Sequence, residues 1–155
     1  MRGDGLGNFN ILYAQTNLTG GIGPIAAADF NGDGKEDLIV VGGNSLAVTL
    51  LGNGNGTFVN AGNFATGGNN VASIAVEDYN NDGKKDVAVA GYSDSVIRVF
   101  KGVGNGTFVV NSPTLINVGS HPLGLVNLYS GTKASLAVAN NGVGTVSVIA
   151  NGCSQ

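Results

Sequence analysis

The sequence predicts an all-β fold made of three repeated units. Three observations carry that prediction: abundant glycine among short apolar runs, the absence of any helical stripe, and a long-period internal repeat. The 155 residues include 27 glycines, and 43% are hydrophobic against 11% charged. This balance suits short strands joined by tight turns, and it is too apolar for a disordered chain. The length allows one domain with a real core.

The repeat has a period of 49 residues. Asp29, Asp33 and Asp37 recur 49 residues on as Asp78, Asp82 and Asp86. GNGNGTF at 52–58 returns as GVGNGTF at 102–108, a shift of 50, and GDGLGNF at 3–9 precedes it by 49. The one-residue slip predicts an insertion in the hairpin near Ser93–Ser95. A third copy is present without its acids. Lys133 aligns with Lys84 and Lys35, and LAVA at 136–139 aligns with VAVA at 87–90. Asn127, Tyr129, Gly131 and Ser135 stand where the liganding pattern would fall. The repeats run over about 10–58, 59–108 and 109–152 within a single domain, 1–155.

Within a repeat, Ile25–Ala28 reads as a strand entering the acidic loop. Leu38–Val41 follows the loop, Gly42–Ser45 is a turn, and Leu46–Leu51 is a third strand. The glycine-rich turn then leads to a fourth, Phe58–Ala65. The apolar runs are short, continuous and bounded by turn residues, as in strands buried on both faces. Four strands in a unit of this length predict the blades of a β-propeller.

The acidic loop, DFNGDGKED, sets Asp29, Asn31, Asp33 and Asp37 at positions 1, 3, 5 and 9. Position 7 is Lys35, which offers only its backbone carbonyl. Gly32 and Gly34 permit a tight curl with positive φ. Alternate residues of such a curl can converge as hard oxygen donors, which suits Ca²⁺ better than the smaller, more strongly hydrated Mg²⁺. The second loop offers Asp78, Asn80, Asp82, Asp86 and the Lys84 carbonyl, so two calcium sites are expected. Six of the ten acids in the chain occupy these ligand positions. Without a cation, such a cluster is self-repelling. A plain Asx-capped turn is the competing reading; it explains one Asp-Gly but not two matching nine-residue copies. The first six positions also fit an EF-hand loop, but position 12 is Val40 or Val89 instead of a bidentate Glu, and the flanks are strands.

DFNGDGKEDL, an apolar strand and then LGNGNGTF together resemble the FG-GAP/VCBS repeat, the blade of integrin α-subunit-like propellers. The resemblance is specific over 23–58 and 72–108 and weak over 121–152. It implies a β-propeller, usually of seven blades, with calcium in the loop joining the first two strands of a blade. On this chain the implied ligands are the ten residues just named. It also implies a secreted or cell-surface setting and roles in adhesion, recognition or scaffolding.

Three blades do not close a ring. Asn10–Gln15 reads as an outermost strand without a blade of its own, and the last unit ends after Val146–Ala150 without a fourth strand. These ends are complementary, so copies of the chain could join head to tail into a ring or a filament. Two copies would supply six blades, and a seven-blade ring of this chain alone is excluded. The alternatives are a piece of a longer propeller and closure within one chain.

Other functions find less support. The net charge is −3 and Lys and Arg form no cluster, which argues against nucleic acid and anionic membranes. No apolar run is long enough for a membrane span. A carbohydrate-binding propeller is the alternative binding function, but there is no Trp and the tyrosines are scattered. A glycan or cell-surface protein stays open as a partner. Catalysis is not expected: the single His121 and single Cys153 have no evident partners, and no glycine-rich loop opens a helix. Arg2-Gly3-Asp4 falls within the repeated glycine turn and reads as coincidence. Asn17, Asn55 and Asn105 have the form of glycosylation acceptors, the last two within the repeat's own turn.

Overall fold

The computed structural model describes residues 22–68, 70–130 and 133–152. Among the described residues it contains eleven strands and no helix long and apolar enough to cross a membrane. The strands are β1 (Ile22–Ala28), β2 (Asp37–Gly42), β3 (Leu46–Gly52), β4 (Phe58–Ala65), β5 (Val71–Glu77), β6 (Asp86–Gly91), β7 (Val96–Phe100), β8 (Thr114–Asn117), β9 (Pro122–Ser130), β10 (Lys133–Asn140) and β11 (Thr145–Ile149). They form three antiparallel meanders: β1-β2-β3-β4, β5-β6-β7-β8 and β9-β10-β11. No barrel closes. The four strands expected of the first unit are all present, each within a few residues of its expected bounds. The N-terminal turn and strand, Asn17 and Cys153 lie outside the described residues.

The sheets pack face to face, with the first strands β1, β5 and β9 as neighbours. Ile39, Val41 and Ala47 of sheet 1 meet Ile74, Val87, Val89 and Phe100 of sheet 2 in one core. Ala88, Ala90 and Ile97 from the other face of sheet 2 meet Leu125, Leu136 and Val138 of sheet 3 in a second. Sheet 2 is therefore covered on both sides, which is why β6 reads DVAVAG and is buried at every residue. The alternation of faces is intact, but both faces are apolar.

The slip from 49 to 50 has a definite location. Ile22 pairs with Gly42 as Val71 pairs with Gly91, still 49 apart. Ser45 (φ 59°) and Ser95 (φ 57°), the left-handed residues closing the two hairpins, are 50 apart. The extra residue thus sits between Gly91 and Ser95, in the hairpin where it was expected.

The glycine-rich turn is explained by close approach. A Cβ on Gly52 would lie 2.2 Å from the Glu36 carbonyl oxygen, and one on Gly102 would lie 2.2 Å from that of Lys85. Only glycine lets β3 and β7 end against the acidic loop. Asn55 and Asn105 then hold each turn by accepting from the N–H and hydroxyl of Thr57 and Thr107. The turn of sheet 2 reaches back to sheet 1, where Gly106 N–H donates to the Phe30 carbonyl at 3.0 Å.

Candidate metal centre

Each acidic loop joins the first two strands of its sheet, β1 to β2 and β5 to β6. In both copies alternate side chains accept hydrogen bonds from backbone N–H groups a few residues on. Asp29 Oδ1 accepts from Gly32 at 2.7 Å, and also from Asn31 and Asp33, while its Oδ2 accepts from Gly34 at 2.8 Å. Asp78 repeats the pattern, accepting from Asp82 at 3.1 Å and Gly83 at 2.8 Å. Asn31 and Asn80 accept from Asp33 and Asp82, and these in turn accept from Lys35 and Lys84. The curl needs left-handed backbone at Gly32 (φ 78°) and Gly34 (φ 79°). In the second copy Gly83 keeps φ 81°, and Asn81, a residue that tolerates this region, replaces the first glycine at φ 60°.

Position 9 behaves differently. Asp37 is fully buried, and its two oxygens accept from Phe30 N–H and Gly52 N–H, both at 2.8 Å. Asp86 does the same with Tyr79 N–H at 3.0 Å and Gly102 N–H at 2.8 Å. This carboxylate ties the acidic loop to the glycine-rich turn, and that tie is why the two motifs travel together in the sequence.

The lysines at position 7 lie over the same turn. A Cβ on Gly54 would meet the Lys35 Cδ at 3.1 Å, and one on Gly104 would meet that of Lys84 at 3.2 Å. Lys35 Nζ also pairs with Asp33 Oδ2 at 2.9 Å. In the second loop Asn80 Nδ2 donates to Asp82 Oδ2 at 3.1 Å. Positions 1, 3 and 5 are thus linked along each curl, and position 9 is buried behind it. Among the described residues, no three His, Cys, Asp or Glu side chains stand close enough to form a metal-holding group by themselves.

The charges are unevenly compensated. Burial raises the Asp29 carboxyl, but its four N–H donors outweigh that and hold it below the ordinary range. The Asp86 carboxyl is raised, first by burial and also by the charges of Asp82 and Asp78, in spite of its two N–H donors. At Asp86, then, burial and two neighbouring acids work against the charged form. An all-oxygen donor set is the chemistry a hard divalent cation takes; Asp29, Asn31, Asp33 and Asp37, or Asp78, Asn80, Asp82 and Asp86, with the Lys35 and Lys84 carbonyls, would hold it.

The third copy is built otherwise. β9 continues to Ser130, so Asn127 and Tyr129 lie in a paired strand opposite Leu136 and Ala134. Asn127 instead reaches sheet 2, where its Oδ1 accepts from the Tyr79 hydroxyl at 2.7 Å and its Nδ2 donates to the Val76 carbonyl at 3.0 Å. The Tyr129 hydroxyl donates to Glu77, which also pairs with Lys85. Ser135, in place of the buried Asp, still accepts from Asn151 N–H at 3.1 Å. These clasp residues were not singled out as functional from the sequence. The available signal was the change from Phe30 to Tyr79 beside the change from Asp78 to Asn127. His121 stacks on Tyr92 with ring centroids 4.5 Å apart, in the turn between sheets 2 and 3.

No curated protein matches the chain. Residues 29–89 and 78–137 each match the FG-GAP-like repeat, so the matches together cover more than half of the sequence. With three sheets of the expected kind and two loops of one design, the chain belongs to the FG-GAP-like repeat family.

Proposed function

We propose that the chain is a non-catalytic, calcium-stiffened repeat module that works outside the cell in structural or adhesive assemblies, with further copies of itself as its first partner. The observation that carries this reading is the duplicated loop: two nine-residue curls with the same acceptor pattern, each anchored through one buried Asp to its own glycine-rich turn. A bound calcium ion would supply positive charge to carboxylates that otherwise repel. The protein's own residues then lock the curl to the ends of β3 and β7, so ion binding and sheet packing are coupled. Extracellular calcium modules commonly bind at roughly 10⁻⁴–10⁻³ M, which free calcium outside cells is sufficient to fill.

Calorimetric titration of the full chain tests this. Two calcium ions should bind per chain, and Asp33→Asn and Asp82→Asn should each remove one. No binding heat and no thermal shift in millimolar calcium would sink the reading.

A further inference from the structure

Asn55-Gly56-Thr57 and Asn105-Gly106-Thr107 occupy the same place in sheets 1 and 2, the first between β3 and β4 and the second after β7. In each turn the Asn side chain uses one of its two polar atoms. Asn55 Oδ1 accepts from the Thr57 N–H at 3.0 Å and from the Thr57 hydroxyl at 2.7 Å. Asn105 Oδ1 accepts from the same groups of Thr107 at 3.1 and 2.6 Å. A backbone N–H can only donate, so the atom that faces it is the carbonyl oxygen. The amide nitrogen is the atom left over.

That nitrogen is free. Among the described residues neither Asn55 Nδ2 nor Asn105 Nδ2 has a hydrogen-bond partner, and both residues are exposed. Asn53, in the same turn as Asn55, is different: its Nδ2 donates to Thr57 Oγ1 at 2.8 Å. The residue between Asn105 and Thr107 faces the other way. Gly106 is buried, and a Cβ on it would lie 2.8 Å from Leu51 Cδ2. The turn thus meets the protein through its glycine and solvent through its asparagine.

We propose that Asn55 and Asn105 are acceptor sites for N-linked oligosaccharide, one on the glycine-rich turn of each of the first two sheets. The inference rests on the reading that the chain works outside the cell, because the sugar donor belongs to secretory pathways. That donor is a lipid diphosphate-linked oligosaccharide. Nδ2 bonds to C1 of the first sugar and gives up one proton; the C1–O bond breaks, and the lipid diphosphate leaves with its electron pair. The product keeps Oδ1 as an acceptor, so both bonds from the threonine survive and the turn stays closed. Lys35 and Lys84 lie over the same turns at Gly54 and Gly104, so the two glycans would stand beside the two acidic loops.

The test uses the full chain with Asn17→Gln, so that only these two turns are counted. It is secreted from animal cells behind a secretion leader, and its glycopeptides are mapped by mass spectrometry before and after peptide N-glycosidase. Asn55 and Asn105 should both carry glycan on most chains. Thr57→Ala should clear Asn55 alone, and Thr107→Ala should clear Asn105 alone. Thr57→Ser and Thr107→Ser should keep both glycans. Translation with microsomes counts glycans before export, so a chain that fails to leave the cell still reports. The glycosylated chain should melt within about 2 °C of the bare chain made in bacteria, because no bond of the turn is lost. Bare asparagines in both systems would overturn the proposal, and a glycan at one turn only would overturn the other site. A melt lowered by roughly 5 °C or more would overturn the claim that the turn accommodates the glycan. Calcium heats are read on the same samples. Bare asparagines with intact calcium binding would remove the glycan sites alone, and glycans without calcium heat would remove the calcium reading alone.

Discussion

Asp37 and Asp33 sit four residues apart in the same loop, yet replacing each with Asn should have opposite signatures. Asp37 is fully buried and accepts two backbone N–H groups at 2.8 Å. In Asp37→Asn one oxygen remains, and the new amide N–H₂ faces an N–H donor. One charge-assisted bond is lost, worth about 1.5–3 kcal/mol, and one buried donor is left unmet, so the cost is about 2–4 kcal/mol. In a chain of this size that corresponds to a fall in Tm of roughly 5–15 °C. The loss should appear in full in the presence of a chelator. Asp33 is exposed, and its Asn variant should melt like the natural chain when calcium is absent. In calcium the order changes. At tenfold excess over the dissociation constant, each filled site adds about 1.4 kcal/mol. Asp33→Asn should lose the increment of its own loop and keep that of the second. The assay is thermal melting with and without calcium, checked by urea unfolding. If Asp37→Asn melted like the natural chain in chelator, the clamp between loop and turn would be wrong. If Asp33→Asn kept the whole calcium shift, that residue would not be a ligand.

Three further outcomes are expected. Gly52→Ala would place a Cβ 2.2 Å from the Glu36 carbonyl oxygen, so urea unfolding should show a loss of about 2 kcal/mol or more, whereas Gly124→Ala, with open space around it, should cost only about 1 kcal/mol through its φ of 63°. Burial raises the Glu77 carboxyl, but Lys85, the Tyr129 hydroxyl and the Asp78 N–H outweigh it and lower it to about 2. Its folded value lies below its unfolded one, so its contribution is complete above about pH 4.5 and fades as the pH falls toward 2; Glu77→Gln should remove about 1–2 kcal/mol of acid-dependent stability across that window, after allowance for solvent screening. Tyr79→Phe removes the hydrogen bond to Asn127 across the second interface and should cost about 1 kcal/mol in urea unfolding.

Much of the fold was legible because glycine, apolar runs and the period all point to the same strands. Leu38–Val41 and Leu46–Leu51 are continuous apolar stretches bounded closely by turn residues, and runs so short have little other way to read than as strands. The hairpin insertion was legible because two landmarks repeat with different shifts. The tight curl was legible from Gly32 and Gly34, but the bonds that link positions 1, 3 and 5 are those of an Asx-capped turn, the competing reading. The separate setting of position 9 did not follow. Spacing cannot tell that Asp37 turns inward to a turn fifteen residues away, because that depends on how β3 ends. Nor does a one-dimensional pattern reveal that Asn127 crosses to sheet 2, since the pairing of Tyr79 with Asn127 exists only once the sheets are stacked.

The third repeat separates two roles that coincide in the first two. Asp37 and Asp86 serve both as clamps on the glycine-rich turn and as acids in the loop pattern. Ser135 occupies that position in sheet 3 and still accepts an N–H from Asn151, while Asn127 and Tyr129 turn their polar groups to the neighbouring sheet. A neutral acceptor is therefore enough to tie the second strand to the turn. Asp37 and Asp86 also accept a second N–H, from Phe30 and Tyr79 in the loop, which the single Ser135 acceptor does not match. Where the loop acids are gone, the buried acid is gone as well. The charge at position 9 follows the charges at positions 1 and 5, as expected if a single cation answers for all three.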